Sequence, residues 1–184
     1  MLILIIGLVV FLGVHLIPGC SGVRQSLVAR LGETGYRGAF SATAAIGLVL
    51  IVLGKAYADF EPLWNPPAWG RNAAMVLMLP VMPLMAAANM PGHIRRIVVH
   101  PMLLGVFLWA LAHLLANGDL ASLALFGGFL LFAVYDWISV TRRGKGGGGP
   151  AKLKHDVIAV VAGLILYALL VHFHTNLFGV PATI

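Results

Sequence analysis

The sequence predicts an all-α fold, a polytopic transmembrane helix bundle of about six spans with both termini outside. Three observations carry this expectation. Hydrophobic residues make up 60% of the 184-residue chain and charged residues only 10%, against roughly 25% charged in an average soluble domain. Long apolar runs recur from one end of the chain to the other, and the basic residues fall in alternate gaps between them. So little charge does not cover a water-facing surface, so lipid is the solvent for most of the exterior.

The runs are Leu2 to Ile17, Ala39 to Ala56, Ala73 to Met90, Ile97 to Ala116, Leu120 to Val140 and Val157 to Phe173. None holds a Lys, Arg or Glu in its middle, and each comes close to the ~20 residues that cross ~30 Å of hydrocarbon at about 1.5 Å per residue. They lack the alternation of a barrel strand, and a backbone in lipid must satisfy its own hydrogen bonds, so helices are expected. The first run has no basic segment before it and no A-x-A-like site after it, and is read as a retained span rather than a signal peptide. The third contains Pro80 and Pro83, which must kink it or free carbonyls within it. With about six spans in 184 residues there is no room for a second domain, and residues 1–184 form one.

The connections set the orientation. Arg24, Arg30 and Arg37 lie in the first, Arg95 and Arg96 in the third, and Arg142, Arg143, Lys145, Lys152 and Lys154 in the fifth. The other two hold Arg71, with Lys55 at a helix end, beside Asp59, Glu61 and Asp119. The positive-inside rule then puts the first, third and fifth connections in the cytoplasm of a multi-pass protein. This placement accounts for the net charge of +6, and no exposed basic stripe or recognition helix points to nucleic acid. Trp64 and Trp69, among prolines 62, 66 and 67, read as an outer interfacial belt. The stretch from Gly144 to Pro150 lacks the order of a phosphate loop and reads as a linker. The lone Cys20 forms no intramolecular disulfide.

An ionisable residue at membrane depth is a functional candidate when a partner can be named. His15, His100, His113 and Asp136 meet that condition, whereas His93 and His155 fall in loops, and His172 and His174 at the outer interface. Asp136 pairs with a nearby arginine or serves a proton relay. His100 and His113 are thirteen residues apart on one helix, roughly 140° around its axis, and do not share a face. Gly105, Trp109, His113 and Asn117 repeat every fourth residue and form a stripe. A glycine admits a planar ring or another backbone, and imidazole ligates haem iron, but the same stripe also suits a helix packing seam. No metallohydrolase motif, nucleophile elbow or dinucleotide fingerprint is present, and catalytic residues are not assigned.

Gly32-Glu33, Tyr36-Arg37-Gly38, Arg96, His100-Pro101-Met102, Gly105, Trp109, Ala112-His113-Leu114, Asn117-Gly118-Asp119 and Leu177-Phe178-Gly179-Val180 together resemble the NnrU family of bacterial membrane proteins, over nearly the whole chain. The resemblance implies a multi-pass protein of the bacterial inner (cytoplasmic) membrane that supports denitrification, through production of nitrite and nitric oxide reductases or through nitric oxide metabolism. The related plant zeta-carotene isomerase uses haem b with histidine ligation, which implies haem b here, with His15 and His113 as metal ligands and Trp109 and Gly105 beside the ring. His100 is the rival ligand, favoured by its depth beside His15. The plant enzyme's cysteine three residues before the second ligand is replaced by Ala110, against a redox-switched mechanism. A haem-dependent polyene isomerase and a cofactor-free membrane assembly factor are the alternative functions. The partners implied are the lipid bilayer, haem and nitrogen-oxide reductase components, with a homo-oligomer left open.

Overall fold

A computed structural model describes residues 1–144 and 150–182. The described residues form α1 (Leu2–Leu16), α2 (Ser21–Ala56), α3 (Gly70–Met78), α4 (Val81–Ala87), α5 (His93–Val98), α6 (Pro101–Ala116), α7 (Leu120–Arg142) and α8 (Leu153–Phe178), with a 3-10 turn after α1. The fold is all-α, as composition and patterning require. Five stretches, Leu2–Gly19, Ser21–Ala56, Gly70–Ala87, Leu120–Arg142 and Leu153–Phe178, are long and apolar enough to cross a membrane, and α6 is a shorter apolar helix. At 16 residues α6 reaches roughly 24 Å. Of the expected linker, residues 145–149 lie outside the described residues.

Backbone breaks divide three of the expected runs or their approaches. Helix α2 starts well before the apolar run and bends at Gly32, whose φ of 71° and ψ of 165° interrupt two helical pieces. Beyond the bend, Arg37 Nε meets Glu33 at 3.1 Å one turn away, and Arg24 reaches the same carboxylate at 3.2 Å from the other piece. Such pairs extend the helix into the polar layer, where hydropathy sees no span. Pro80 separates α3 from α4, because its ring and missing N–H end the first helix. Between α5 and α6 the His100 N–H donates to the Val98 carbonyl at 2.7 Å, with Val99 at φ 64°. This is a γ-turn of the strained, positive-φ kind, unusual for a β-branched residue. Pro101 then opens α6, where its fixed φ suits a first turn.

The strongest packing runs α2, α1, α7, α6, α3 with α4, and α8 in spatial order. Small residues set the two closest seams. Helices α1 and α2 are antiparallel, and a Cβ at Gly7 would lie 2.6 Å from the Ile51 nitrogen and one at Gly47 2.8 Å from the Phe11 nitrogen. Gly54 likewise meets the Leu4 backbone, and Gly163 of α8 meets the Pro83 backbone of α4. Leu4, Leu8, Ile51, Ala110, Leu125 and Phe126 belong to the core cluster where α1, α2, α6 and α7 meet. On α8 the buried residues are Asp156, Ala159 and Gly163, a single stripe. Val157, Val161 and Ile165 on the same helix are exposed, as are Ile46 and Val49 of α2, which suits a lipid-facing exterior.

The connections gather at opposite ends, in the alternation the sequence implies. At one end Arg143 donates to the Pro18 carbonyl at 3.0 Å and the Lys152 N–H to the Pro91 carbonyl at 3.0 Å. Here the Asp156 carboxylate accepts from the backbone N–H groups of His93 and Ile94 at 2.8 and 2.9 Å, and meets His93 Nδ1 at 2.8 Å. It thereby caps α5 from another helix, and Gly92 leaves it room. At the other end the 57–69 loop folds over the α6–α7 turn, with the Leu63 N–H donating to the Gly118 carbonyl at 2.7 Å and the Leu120 N–H to Glu61 at 2.9 Å.

Lys55 closes this second end. Its ammonium donates to Asp119 at 2.9 Å and to the Ser122 hydroxyl at 2.8 Å, while Asp119 caps α7 through the Ser122 N–H at 2.9 Å. Asp119 and Ser122 are buried. Burial works against the Asp119 carboxylate, but the Ser122 hydroxyl and N–H and the Lys55 ammonium outweigh it and hold its pKa below the ordinary 3.8. A carboxyl with a lowered folded-state pKa contributes stability that is complete above the unfolded value and lost as pH falls through the folded one. Stability in detergent should therefore drop below about pH 4, and Asp119→Asn should cost about 1–3 kcal/mol at pH 7 while flattening that acid limb. An acid limb unchanged in Asp119→Asn, followed by circular dichroism against pH, would remove the clasp from the account.

Candidate functional site

The site is built on α6. Successive steps of four residues drift by about 40° around a helix, so the Gly105–Asn117 stripe turns across several neighbours. Gly105 faces α4, where a Cβ would lie 3.4 Å from the Val81 carbonyl oxygen and 3.4 Å from Met85 Cε. It is a packing notch, and the close approach it permits is that of α4. Trp109 turns to α7, edge-on to Phe126 and Phe129 with centroids 5.0 and 5.3 Å away. His113 stacks on Phe126 at 4.5 Å and an interplanar angle of 23°. Asn117 ends the helix, its side-chain amide donating to the His113 carbonyl at 2.8 Å.

His113 Nδ1 lies 2.8 Å from the Trp109 carbonyl oxygen. A carbonyl only accepts, so Nδ1 carries the proton and Nε2 keeps a lone pair. Metal-binding histidines are commonly oriented by such a second hydrogen bond. The ring lines a cavity of about 230 Å³ between α3, α6 and α8, whose walls include Met75, Met78, Leu170 and Val171 and whose polar groups include Arg71, Tyr167 and His174. The Tyr167 hydroxyl donates to the Met75 carbonyl at 3.1 Å and ties α8 to α3 across it.

His15 stands elsewhere. Its Nδ1 donates in the same fashion to the Phe11 carbonyl at 2.6 Å, and its ring sits among Phe11, Phe40 and Phe132 at 4.3, 5.1 and 6.3 Å. It is not among the residues lining the His113 cavity. Ring contacts link the two histidines through Phe11, Phe129 and Trp109, with centroids 4.3, 5.6, 5.3 and 5.3 Å apart in turn. On α7 their neighbours Phe132 and Phe126 are six residues, roughly 9 Å, apart. The other polar candidates are separate again. His100 precedes α6, edge-on to Trp137 at 6.1 Å, with its Nε2 buried and without a hydrogen-bond partner. Asp136 is paired with Arg143 at 3.4 Å, the arginine reading of that residue. Among the described residues no group of three or more His, Cys, Asp or Glu is placed to hold a metal ion.

His174 is the residue that the sequence assigned to the interface and the fold brings to the site. It continues the buried stripe of α8 through Ala159, Gly163 and Tyr167, a spacing that is visible in the sequence once Gly163 is recognised as the helix contact. His172, two residues earlier, is exposed and packs edge-on against Phe173.

The family model described as NnrU protein matches residues 3–182, nearly the whole chain. The chain belongs to the NnrU family. No curated protein and no solved structure matches it. Much of the stretch that carries the NnrU likeness, residues 100–119, has structural duties. Pro101 starts α6, Gly105 admits α4, Gly118 fits beneath the Trp64 carbonyl and Asp119 holds Lys55. His113 has no such duty for its Nε2. Two ring nitrogens of the stretch are left unexplained by packing: this one, on a cavity wall, and the buried His100 Nε2.

Proposed function

We propose that this NnrU-family protein binds haem b within the bacterial cytoplasmic membrane, basic end toward the cytoplasm, and supports denitrification, with His113 as an axial ligand. The observation that carries the reading is the His113 imidazole, its Nδ1 proton held by the Trp109 carbonyl, its Nε2 left with a lone pair and its residue on the wall of a largely apolar cavity. Bound haem would supply a redox-active iron able to exchange electrons or take up a diatomic gas. The protein's own part is to orient the imidazole through Trp109 and Phe126, exclude water with Met75, Met78 and Leu170, and offer Arg71 to a carboxylate. Family membership is what connects this chemistry to nitrogen-oxide respiration.

One imidazole fits, and the other implied ligands fit less well. A ring shared by His15 and His113 would have to displace the layer of Phe11, Phe129 and Trp109 that connects them. His100 lies thirteen residues from His113 along the chain, roughly 20 Å along a helix axis, and does not serve the same iron. The polyene-isomerase alternative gains no support from Ala110, which is fully buried in the core with no exchangeable ligand atom.

The test is the absorption spectrum of protein purified in detergent from haem-replete cells. A Soret band at about one haem per chain is expected from a single axial site. Colourless protein that co-purifies with a reductase subunit would instead favour the assembly-factor reading.

A further inference from the structure

We infer that His174 is the second axial ligand of the group held by His113, so that the cavity between α6 and α8 is a bis-imidazole site. The inference rests on the haem reading above and adds a ligand that the family resemblance does not assign.

Both imidazoles are prepared alike. His174 Nδ1 lies 2.6 Å from the Val180 carbonyl oxygen, so it too donates its Nδ1 proton to the backbone and keeps a lone pair on Nε2. His113 and His174 line the same cavity from different helices. Facing helices that each contribute an inward imidazole are a common way of building a cofactor site in a bundle. Two features hold His174 in position. The Tyr167 bond to Met75, seven residues earlier on the same face, fixes the separation of α8 and α3. Gly179, at φ 75°, ends α8 in the left-handed region and turns the chain so that the Val180 carbonyl comes back over His174. The Gly179-Val180 pair thereby acquires a duty in the site. Arg71 lines the same cavity, from the first turn of α3, as a cation for a propionate-bearing ring. Met75 and Met78 also line the cavity, and their thioethers are the rival ligands.

The test compares absorption and electron paramagnetic resonance spectra of the haem-loaded full chain and its variants. The wild type should be six-coordinate and low-spin, and His174→Ala should turn mostly five-coordinate and high-spin, with added imidazole restoring the low-spin form. His174→Met, which keeps a ligand atom, should stay six-coordinate with a raised reduction potential, as Met/His ligation produces. That second variant decides the matter should His174→Ala lose haem altogether. A low-spin spectrum unchanged in His174→Ala, or His174→Met with the wild-type potential, overturns the assignment and leaves haem binding at His113 standing. Wild-type protein that takes up no haem overturns both.

Discussion

His113→Ala should abolish haem binding while leaving the bundle folded. The substitution removes the imidazole that α6 presents to the cavity and leaves in place the Trp109 carbonyl, Phe126 and the Asn117 cap at the helix end. Loss of an outer-shell partner to a metal ligand costs about 10–100-fold in affinity, so loss of the ligand itself should exceed that and remove the Soret band at ordinary protein concentrations. The fold should lose about 1–3 kcal/mol for a half-buried ring that stacks on one neighbour, which circular dichroism and size-exclusion profiles would register as folded protein. His15→Ala should keep most of its haem, because that ring lies in a separate aromatic setting. The opposite pattern, with the band surviving in His113→Ala and vanishing in His15→Ala, would move the site to α1.

Gly47→Ala should strongly destabilise the seam between α1 and α2. A methyl group there meets the Phe11 nitrogen at 2.8 Å and its Cα at 2.9 Å, and backbone of a packed helix does not yield as a flexible side chain does. Overpacking ordinarily costs about 1–3 kcal/mol, and a clash of backbone against backbone belongs at the upper end or beyond, since α1 must move away from α2 along its length. Gly13→Ala is the control. It lies on α1 with nothing within 4 Å of an added Cβ, and should be neutral or slightly stabilising through helix propensity. Unfolding midpoints in mixed detergent that shift equally for the two would show that the seam does not set the α1–α2 spacing.

The helical class, the apolar runs and the alternation of basic connections were legible because each is a property of average composition over about twenty residues. Local backbone geometry is not. Pro80 announces its break, but nothing at Val99 signals a γ-turn, and Gly32 bends a helix whose polar half carries no hydropathy signal. The clasp between Lys55 and Asp119 joins residues 64 apart, and no local pattern connects them. Within the site, the stripe on α6 pointed to His113 and Trp109 correctly as neighbours, their rings 5.3 Å apart. Gly105, delivered to α4 because a spacing of four drifts around the helix, follows the packing-seam reading of the stripe. His174 was hidden by its place near a helix end, where an imidazole reads as interfacial, and only the stripe leading back to Gly163 reveals which way it faces.

Locating the iron in haem-loaded protein tests most directly whether His113 of α6 holds it. Anomalous scattering at the iron edge from crystals of the haem-loaded protein should place a single peak at bonding distance from His113 Nε2, within the cavity that Arg71 and Tyr167 also line. A peak beside His15 or His100, or haem-loaded crystals with the peak away from α6, would contradict it.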